Sequence, residues 1–537
     1  MRLRKECIAL CAGALLGVGF IIPSVWAFSI LGVALLINEI LATQSWHKAG
    51  LISGIGGFIW YALVLAPTFW GVLPLDWFGI EGLPMQVLAV ALSWLLSALV
   101  PAFGTMFFGM GIYLWKSRTC ADLILIPALW VLSEWIGAFL ISIVSAGPGS
   151  LLGAHFTYGA LGYLLANDIV LLQAARIGGI YALSFMAAFA GALIYITLTT
   201  RSKRMRTALF VLAAVIVLAW AILRLGGFPS SMHAPSGQSF HVAIMSRYVP
   251  PRLRPTQAQA ESDFEDAYQF VKPLRGVDLL VFPEDTAFLR ATPDGSHDAA
   301  IRGLGLLGMA SSSPLVIDSD DLLRTDGSLM SRVSFWHGPS DVTYGYKQMF
   351  MPFGEYMPYL YRGILTVAGG RELLDTVTAV RGYMPGPIGG IGIEDGVRIA
   401  VRFCDEAFSP ELYRSEVADG ANVLVDISSQ SWFHESRMIY SQMQNVAKVR
   451  AAESERPFVQ SGNMSPAFVL DAHGRVLAET EWGRPEVLQV PIMPQSGKTL
   501  YVMMGERILM LPILIIGILI ILMGMKSKKQ KKVPDSE

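Results

Sequence analysis

The sequence predicts a multi-pass α-helical membrane bundle that carries an extracytoplasmic α/β domain. Three observations predict it. The 537 residues are 53% hydrophobic and only 15% charged. Long apolar runs fill residues 1–225 and return once, at 508–525. Between them, short β-rich runs alternate with polar helical stretches. A net charge of −1 supplies no basic surface, which argues against a nucleic-acid partner.

The apolar runs lie at 7–23, 26–42, 51–70, 86–115, 121–145, 177–198, 207–225 and 508–525. Each is near or above the ~20 residues that cross a bilayer as a helix. The loops decide their orientation. Arg2, Arg4 and Lys5 precede the first run, Lys48 follows the second, and Lys116 and Arg118 follow the fourth. Arg201, Lys203, Arg204 and Arg206 follow the sixth, and Lys526, Lys528, Lys529, Lys531 and Lys532 follow the last. The intervening short loops 24–25 and 71–85 hold no Lys or Arg, and 146–176 holds only Arg176. This alternation is the positive-inside pattern. It predicts eight spans, seven of them in a domain over 1–225, with both termini and the basic tail 526–537 cytoplasmic. The first run reads as a retained anchor rather than a cleaved signal, because six further runs follow and no small-x-small site is evident. Glu134 falls mid-span, where an ionisable group is expected to pair inside the bundle or line a polar cavity. Glu39 falls near a membrane surface and is expected to be solvated.

Residues 226–240, GGFPSSMHAPSGQSF, read as a linker. The outer domain then occupies 241–505. Strands are expected at 241–245, 277–282, 313–319, 397–403, 422–428, 456–462 and 467–472, with helices at 261–274 and 437–455. Alternating strand and helix predict layered α/β packing. The four cysteines (Cys7, Cys11, Cys120 and Cys404) have no CxxC spacing, and the eight histidines form no HExxH, so neither metal nor cofactor is expected. Gly303 to Gly308 fit GxGxxG but follow no clear strand, so they read as a loop or small-residue packing.

The outer domain is organised around GVRIAVRFCDEAFSPELYR, residues 396–414. A strand feeds Cys404, and Asp405 and Glu406 open the next element. The default for a free cysteine is a small buried hydrophobe. A thiol at a strand-to-helix turn can instead meet backbone N–H groups and a helix N-terminus, which favour thiolate. Cys404 is also the only cysteine in the outer domain, where an unpaired thiol invites a functional explanation. Two further segments carry matching chemistry. VDLLVFPEDTAF places Glu284 just past a strand and a proline, and YGYKQMFMPFGEYMP carries Lys347 and Glu355. Alone, each could be a helix cap, a surface charge or a salt-bridge partner. Together they supply a nucleophile, a carboxylate base and a cation for a developing oxyanion.

The ordered set FPE, YxKxxxxPFGEYxP and Cys-x-Glu resembles the nitrilase (carbon–nitrogen hydrolase) superfamily, which places a Glu-Lys-Cys triad on an αββα sandwich. With seven spans before the outer domain and one after it, the chain is similar to the apolipoprotein N-acyltransferase family, the membrane-embedded branch. PALWVLSEW (127–135), LLQAARIGGIYALSF (171–185), VRGYMPGP (380–387) and the SWF within DISSQSWFHES (426–436) carry the likeness along the chain. The resemblance implies a nitrilase-like catalytic domain on the periplasmic side of a bacterial inner membrane. It implies that Cys404 takes an acyl chain from a phospholipid as a thioester and passes it to the amine of a diacylglyceryl-cysteine lipoprotein. Glu284 would be the general base. Lys347 and the N–H after Cys404 would hold the oxyanion. Glu355 would orient Lys347, and Glu406 would support the site. Trp432, Tyr356 and Tyr359 would contact substrate, and residues 356–385 would form an apolar arm dipping toward the membrane. A loop of ~30 residues is more often functional than idle.

This chain departs from the family at several walls of the pocket. Asp405 stands where an aromatic is usual, Ser429-Gln430-Ser431-Trp432-Phe433-His434 replaces Asn-Asp-Ala-Trp-Phe-Gly, and Ser246-Arg247-Tyr248 replaces Gln-Gly-Asn. A tryptophan expected soon after is replaced by PPRLRP, 250–255. Two other readings therefore stand beside the transferase. One is a membrane-anchored carbon–nitrogen hydrolase or amidase with water as acceptor, an architecture shared by some plasmid-conjugation proteins. The other is a non-catalytic membrane assembly factor, which would not need Glu284, Lys347 and Cys404 together.

Overall fold

The computed structural model describes residues 2–530 apart from 76–79, 81, 116–120, 227–238, 252–255, 285, 287–304, 306, 309–314, 326, 339–340, 368, 372–373, 375–381, 388–390 and 395. Cys120, Lys116, Arg118, Lys531, Lys532, most of the expected linker and of PPRLRP, and parts of the expected arm lie outside the described residues.

Helices stand at each of the eight apolar runs. In the first domain these are α1 (Arg2–Ile21), α2 (Ala27–Leu41), α3 (Trp46–Trp70), α4 (Leu83–Trp115), α5 (Asp122–Val144), α6 (Ala175–Thr199) and α7 (Lys203–Gly226). Among the described residues, six helical stretches are long and apolar enough to cross a membrane: 46–70, 83–115, 122–144, 175–199, 203–225 and 500–518. The other two depart for physical reasons. The first turns of α1 carry Arg2, Arg4, Lys5 and Glu6, and α2 has only 15 residues. At ~1.5 Å per residue, α2 falls short of a ~30 Å hydrocarbon core. The last helix runs over Met510–Gln530, later than the expected 508–525. Glu39 is not solvated as expected: it is 5% exposed and accepts a hydrogen bond from Asn38 Nδ2 at 2.9 Å. Glu134 pairs inside the bundle, where its Oε1 accepts from Trp130 Nε1 at 2.7 Å and from the Leu161 N–H at 2.8 Å. It thereby holds the start of the Leu161–Asn167 turn.

The second domain is a two-sheet sandwich. One half runs β5 (Asp341–Tyr346), β4 (Leu329–Gly338), β3 (Leu315–Leu323), β2 (Leu279–Val281), β1 (Phe240–Arg247). The other runs β9 (Phe458–Asn463), β8 (Val423–Ser429), β7 (Val397–Phe403), β6 (Ile391–Glu394). The halves touch at one corner, where Ser246 and Arg247 of β1 pair with Gly462 and Asn463 of β9. Alternation along each strand separates the layers. Val242, Ile244, Leu279 and Val281 meet Ile399, Val401, Val423 and Val425 between the sheets. Ala243, Met245 and Leu280 turn the other way, onto α8 (Gln257–Val271). That helix opens with a capping box between Thr256 and Gln259. Ala400 and Leu424 likewise turn outward, onto α10 (Pro410–Ala418) and α11 (Arg437–Ser454). The αββα arrangement is therefore present, and α9 (Tyr359–Val367) is an appendage to it.

The sandwich is not tethered loosely to the membrane helices. Ile439, Met443 and Val446 of α11 belong to the same apolar cluster as Trp60, Trp130 and Ile180 of the bundle. Polar contacts cross the same seam. The fully buried Arg450 pairs with Glu453 at 2.7 Å and donates to Tyr163 Oη at 3.2 Å, and Arg176 lies 3.5 Å from Glu455. A break in α6 makes room for this. Gly178 and Gly179 leave helical geometry, Gly179 at φ +59° and ψ −147°. A Cβ on Gly179 would stand 2.7 Å from the Tyr501 ring and 2.9 Å from Glu453 Oε2. The Gly303–Gly308 segment also packs by smallness where it is described: a Cβ on Gly308 would sit 2.3 Å from the Trp336 ring.

Gly179→Ala is expected to destabilise the protein by about 1–3 kcal/mol, the scale of a residue held in a glycine-only region. A lower midpoint in detergent thermal unfolding checks it, with Gly363→Ala as control because nothing lies near its would-be Cβ.

Candidate active site

Cys404 sits at the carboxyl end of β7, on the first residue of a short 3-10 turn, Cys404–Phe408. Its φ is +42°, a left-handed conformation uncommon for a residue with a side chain. Local strain of this kind persists where surroundings over-determine it, and it turns the thiol out of the strand line. The Ser428 hydroxyl, at the end of the parallel neighbour β8, donates to Sγ at 3.4 Å.

Lys347 follows the last residue of β5 and is 3% exposed. Its ammonium lies 2.9 Å from Glu355 Oε1, 3.2 Å from Asp405 Oδ1 and 3.4 Å from Glu284 Oε1. Its three N–H bonds thus have three carboxylates. Burial alone would push Lys347 down, but Glu284, Glu355 and Asp405 outweigh it and hold the group well above the usual lysine range. Glu355 is fixed by its other oxygen, which accepts the Met351 N–H at 2.7 Å. Glu284 follows β2 by three residues, and its turn is pinned by Thr286 Oγ1, which donates to the Pro283 carbonyl at 2.9 Å and to buried Asp318.

Glu406 makes the joint between the halves of the site. It is fully buried. Oε1 accepts the N–H groups of Gln348 at 2.7 Å and Met349 at 3.0 Å, while Oε2 accepts that of Phe403 at 3.0 Å. One carboxylate therefore ties the segment after Lys347 to the strand residue before Cys404, across 58 positions of sequence.

The expectation of a resting thiolate is corrected. Burial pushes the Cys404 thiol well above its ordinary value, and Glu284, Asp405 and Asp426 push the same way, with only Lys347 opposing. A five-residue turn ringed by carboxylates does not supply the field a longer helix would. A thiol held neutral in this way can act as a nucleophile only with a base to take its proton. Asp405 is itself raised to about 7: burial is the main cause, Lys347 opposes, and Glu355 and Glu406 add to the rise.

The structure thus brings Glu284, Lys347, Glu355, Cys404 and Glu406 together. It treats the three proposed substrate contacts differently. Trp432 is half-buried in the Ser431–Phe433 turn just after β8. Tyr356 is buried, and its hydroxyl donates to the Ser145 carbonyl at 2.6 Å, which ties the segment to the membrane domain. Tyr359 opens α9 and is 58% exposed, while its N–H donates to the Ala146 carbonyl at 2.8 Å. On the same helix Leu360, Ile364 and Val367 are exposed. Asp405, Ser428 and Asp318 were missed as members of the site. Asp405 was visible only as a departure from an aromatic, and Ser428 only as a polar residue ending a buried strand. Asp318 gave no signal.

Comparison with known proteins agrees with this architecture. Residues 12–193 match the apolipoprotein N-acyltransferase N-terminal domain, and 364–500 match the carbon–nitrogen hydrolase family. A curated apolipoprotein N-acyltransferase of Geobacter metallireducens is 25% identical, over 94% of this chain and 92% of its own. The chain is similar over nearly its whole length to apolipoprotein N-acyltransferases. One from Shewanella oneidensis is also 25% identical, over 98% of this chain and 96% of its own. Among solved structures, an amidase from a Nesterenkonia species is 16% identical, with a TM-score of 0.34 over 51% of this chain and 95% of its own. The carbon–nitrogen hydrolase match takes in Cys404 and Glu406 but begins after Glu284, Lys347 and Glu355. Those three are joined to the site by geometry.

Glu406→Ala leaves three buried N–H groups without an acceptor, at about 1–3 kcal/mol for each such group. It is expected to lower the thermal midpoint, measurable on purified protein.

Proposed function

We propose that the chain transfers an acyl group from a phospholipid to the N-terminal amine of a diacylglyceryl-cysteine lipoprotein, through a thioester on Cys404. The observation that carries this reading is the Lys347 ammonium held between Glu284 and Glu355 beside Cys404. That group stands on a sandwich sharing one apolar core with the membrane helices. A reacting centre fused to a bilayer-spanning bundle suits a donor that never leaves the membrane. The near full-length likeness to apolipoprotein N-acyltransferases supports the same reaction class.

The steps follow from the site. Glu284 takes the thiol proton as Sγ attacks the donor's ester carbonyl. The oxyanion draws on Lys347 and on the Asp405 backbone N–H. The carbon–oxygen bond breaks, the leaving alkoxide takes the proton from Glu284, and lysophospholipid departs. The acceptor amine then attacks the thioester and the carbon–sulphur bond breaks. The membrane is the bacterial inner membrane, with both termini cytoplasmic and residues 241–505 periplasmic, as the loop charges indicate. The apolar face of α9 lies toward the lipid supply. In a hydrolase, water would replace the amine; a domain fused to lipid-spanning helices favours the transferase.

Complementation of a strain depleted of its own lipoprotein N-acyltransferase tests the reaction. Wild type is expected to restore growth. Cys404→Ser is expected to fail, with turnover down by ~10³-fold or more, as for loss of other covalent nucleophiles. Wild type that reaches the membrane without restoring growth would overturn the proposal. For topology, Glu481, whose side chain is 70% exposed, is replaced by cysteine in a chain with Cys7, Cys11 and Cys120 changed to serine. It is expected to react with an impermeant maleimide in intact spheroplasts, whereas Ser527→Cys reacts only after lysis.

A further inference from the structure

The reacting centre has an imbalance that the steps above do not use. Among the described residues, three carboxylates (Glu284, Glu355 and Asp405) lie within 3.4 Å of one ammonium, that of Lys347. Glu406 is met by three backbone N–H groups, with Arg402 3.9 Å away, and its charge still acts on Asp405. Asp405 is 3% exposed, and among the described residues only one of its oxygens has a partner: Oδ1 meets Lys347, while Oδ2 is buried with no hydrogen-bond donor. A second buried polar atom nearby is in the same condition. The Tyr158 hydroxyl has no partner among the described residues, and the charges acting on Tyr158 are led by Asp405, then Cys404. Tyr158 comes from the membrane domain, stacked on Phe408 with centroids 3.8 Å apart. Two oxygens from two domains, each without a partner among the described residues, thus flank the Cys404–Phe408 turn: Asp405 follows Cys404 directly, and Tyr158 stacks on Phe408. Buried polar atoms are rarely left unpaired, and such a pair lacks a donor-rich cation.

We propose that Asp405 recognises the acceptor's α-ammonium, with Oδ2 and the Tyr158 hydroxyl forming the polar half of the acceptor subsite; this rests on the acyltransferase reading above. A primary ammonium has three N–H donors and one positive charge, which fits both vacancies. Water and a neutral alcohol supply no charge, so the same imbalance selects amine over hydrolysis. The proton balance is definite. The ammonium gives one proton to the Asp405 carboxylate, which passes it to solvent. The freed lone pair forms the nitrogen–carbon bond. The second nitrogen proton travels through Glu284 to the Cys404 sulphur as the carbon–sulphur bond breaks.

Burial holds the Asp405 carboxyl up to about 7. The groups facing it are Lys347, Glu355 and Tyr356 from the segment after β5, Glu406 and Cys404 from its own turn, Asp426 from β8, and Tyr158. Below that pH the subsite is neutral and binds ammonium weakly, so the acceptor KM falls as pH rises through about 7.

The test separates the two half-reactions in the purified, full-length protein. Cys404 is acylated from vesicles of phosphatidylethanolamine or phosphatidylglycerol carrying a labelled chain. Transfer is then followed to a diacylglyceryl-cysteinyl peptide. Asp405→Asn is expected to raise the peptide KM by about 30-fold or more, as for truncation of a buried charge pair, and to flatten its pH dependence. Transfer is expected to fall at least about tenfold more than acylation, with Asp405→Glu recovering part of it and Tyr158→Phe giving a smaller effect of the same sign. Equal losses in both half-reactions, or an unchanged peptide KM, would overturn the proposal. So would a loss of acylation confined to phosphatidylethanolamine, since the recognised ammonium would then be the donor's. If wild type forms no thioester, it is the acyltransferase reading that fails.

Discussion

A single buried ammonium sets the terms for the site. Lys347 is at the end of one sheet's edge hairpin, Glu284 at the end of a central strand of that sheet, and Asp405 just past a strand of the other. An uncompensated charge at that depth would be prohibitive, so the three chain segments are bound to converge on it. The same convergence places Cys404 beside the cation. Glu406 repeats the device with opposite sign, a buried anion met by N–H groups from both halves. The geometry of the candidate site and the closure of the fold are consequently one set of contacts, and Cys404 and Glu284 stand past the carboxyl ends of β7 and β2, where α/β sheets commonly place ligand sites.

Electrostatic balance then explains the resting state. The cation is outnumbered, so the thiol remains protonated and the site is poised rather than primed. A cysteine kept neutral in this way is protected from oxidation, because the thiolate is the reactive form. Lys347 is the one charge named above that favours negative charge on the sulphur. Its three carboxylate contacts are unequal, and that with Glu284 is the longest, at 3.4 Å.

Much of this was legible in the residues. Period-two patterning located β1, β3, β7, β8 and β9 to within a few residues because their inward faces are continuous runs of Val, Ile and Leu. Hydropathy located the membrane helices, since lipid and packed helix interiors select the same side chains. The hairpin of β4 and β5 was not read. Its residues mix Arg332, Ser334, His337 and Tyr344 with apolar ones, which pattern alone does not separate from loop. Cys404, Lys347 and Glu284 were recoverable by motif and order. The third carboxylate on Lys347 was not, because it depends on a side-chain direction set by the left-handed backbone at Cys404. The thiolate expectation failed for a related reason: charge density around a group is a property of the fold, not of its neighbours in sequence.

The shared apolar core has a further consequence for how this enzyme can be divided. α11 is at once the outer layer of the sandwich and a neighbour of α6, with Arg450 and Glu453 sealed at the seam. Removing the first 226 residues would uncover that helix, strand its buried ion pair against water-facing space, and leave the sandwich with a bare greasy side. The catalytic half is therefore not a detachable cargo on a membrane anchor. Its layered fold is finished by the bundle, much as an arch is finished by its abutment.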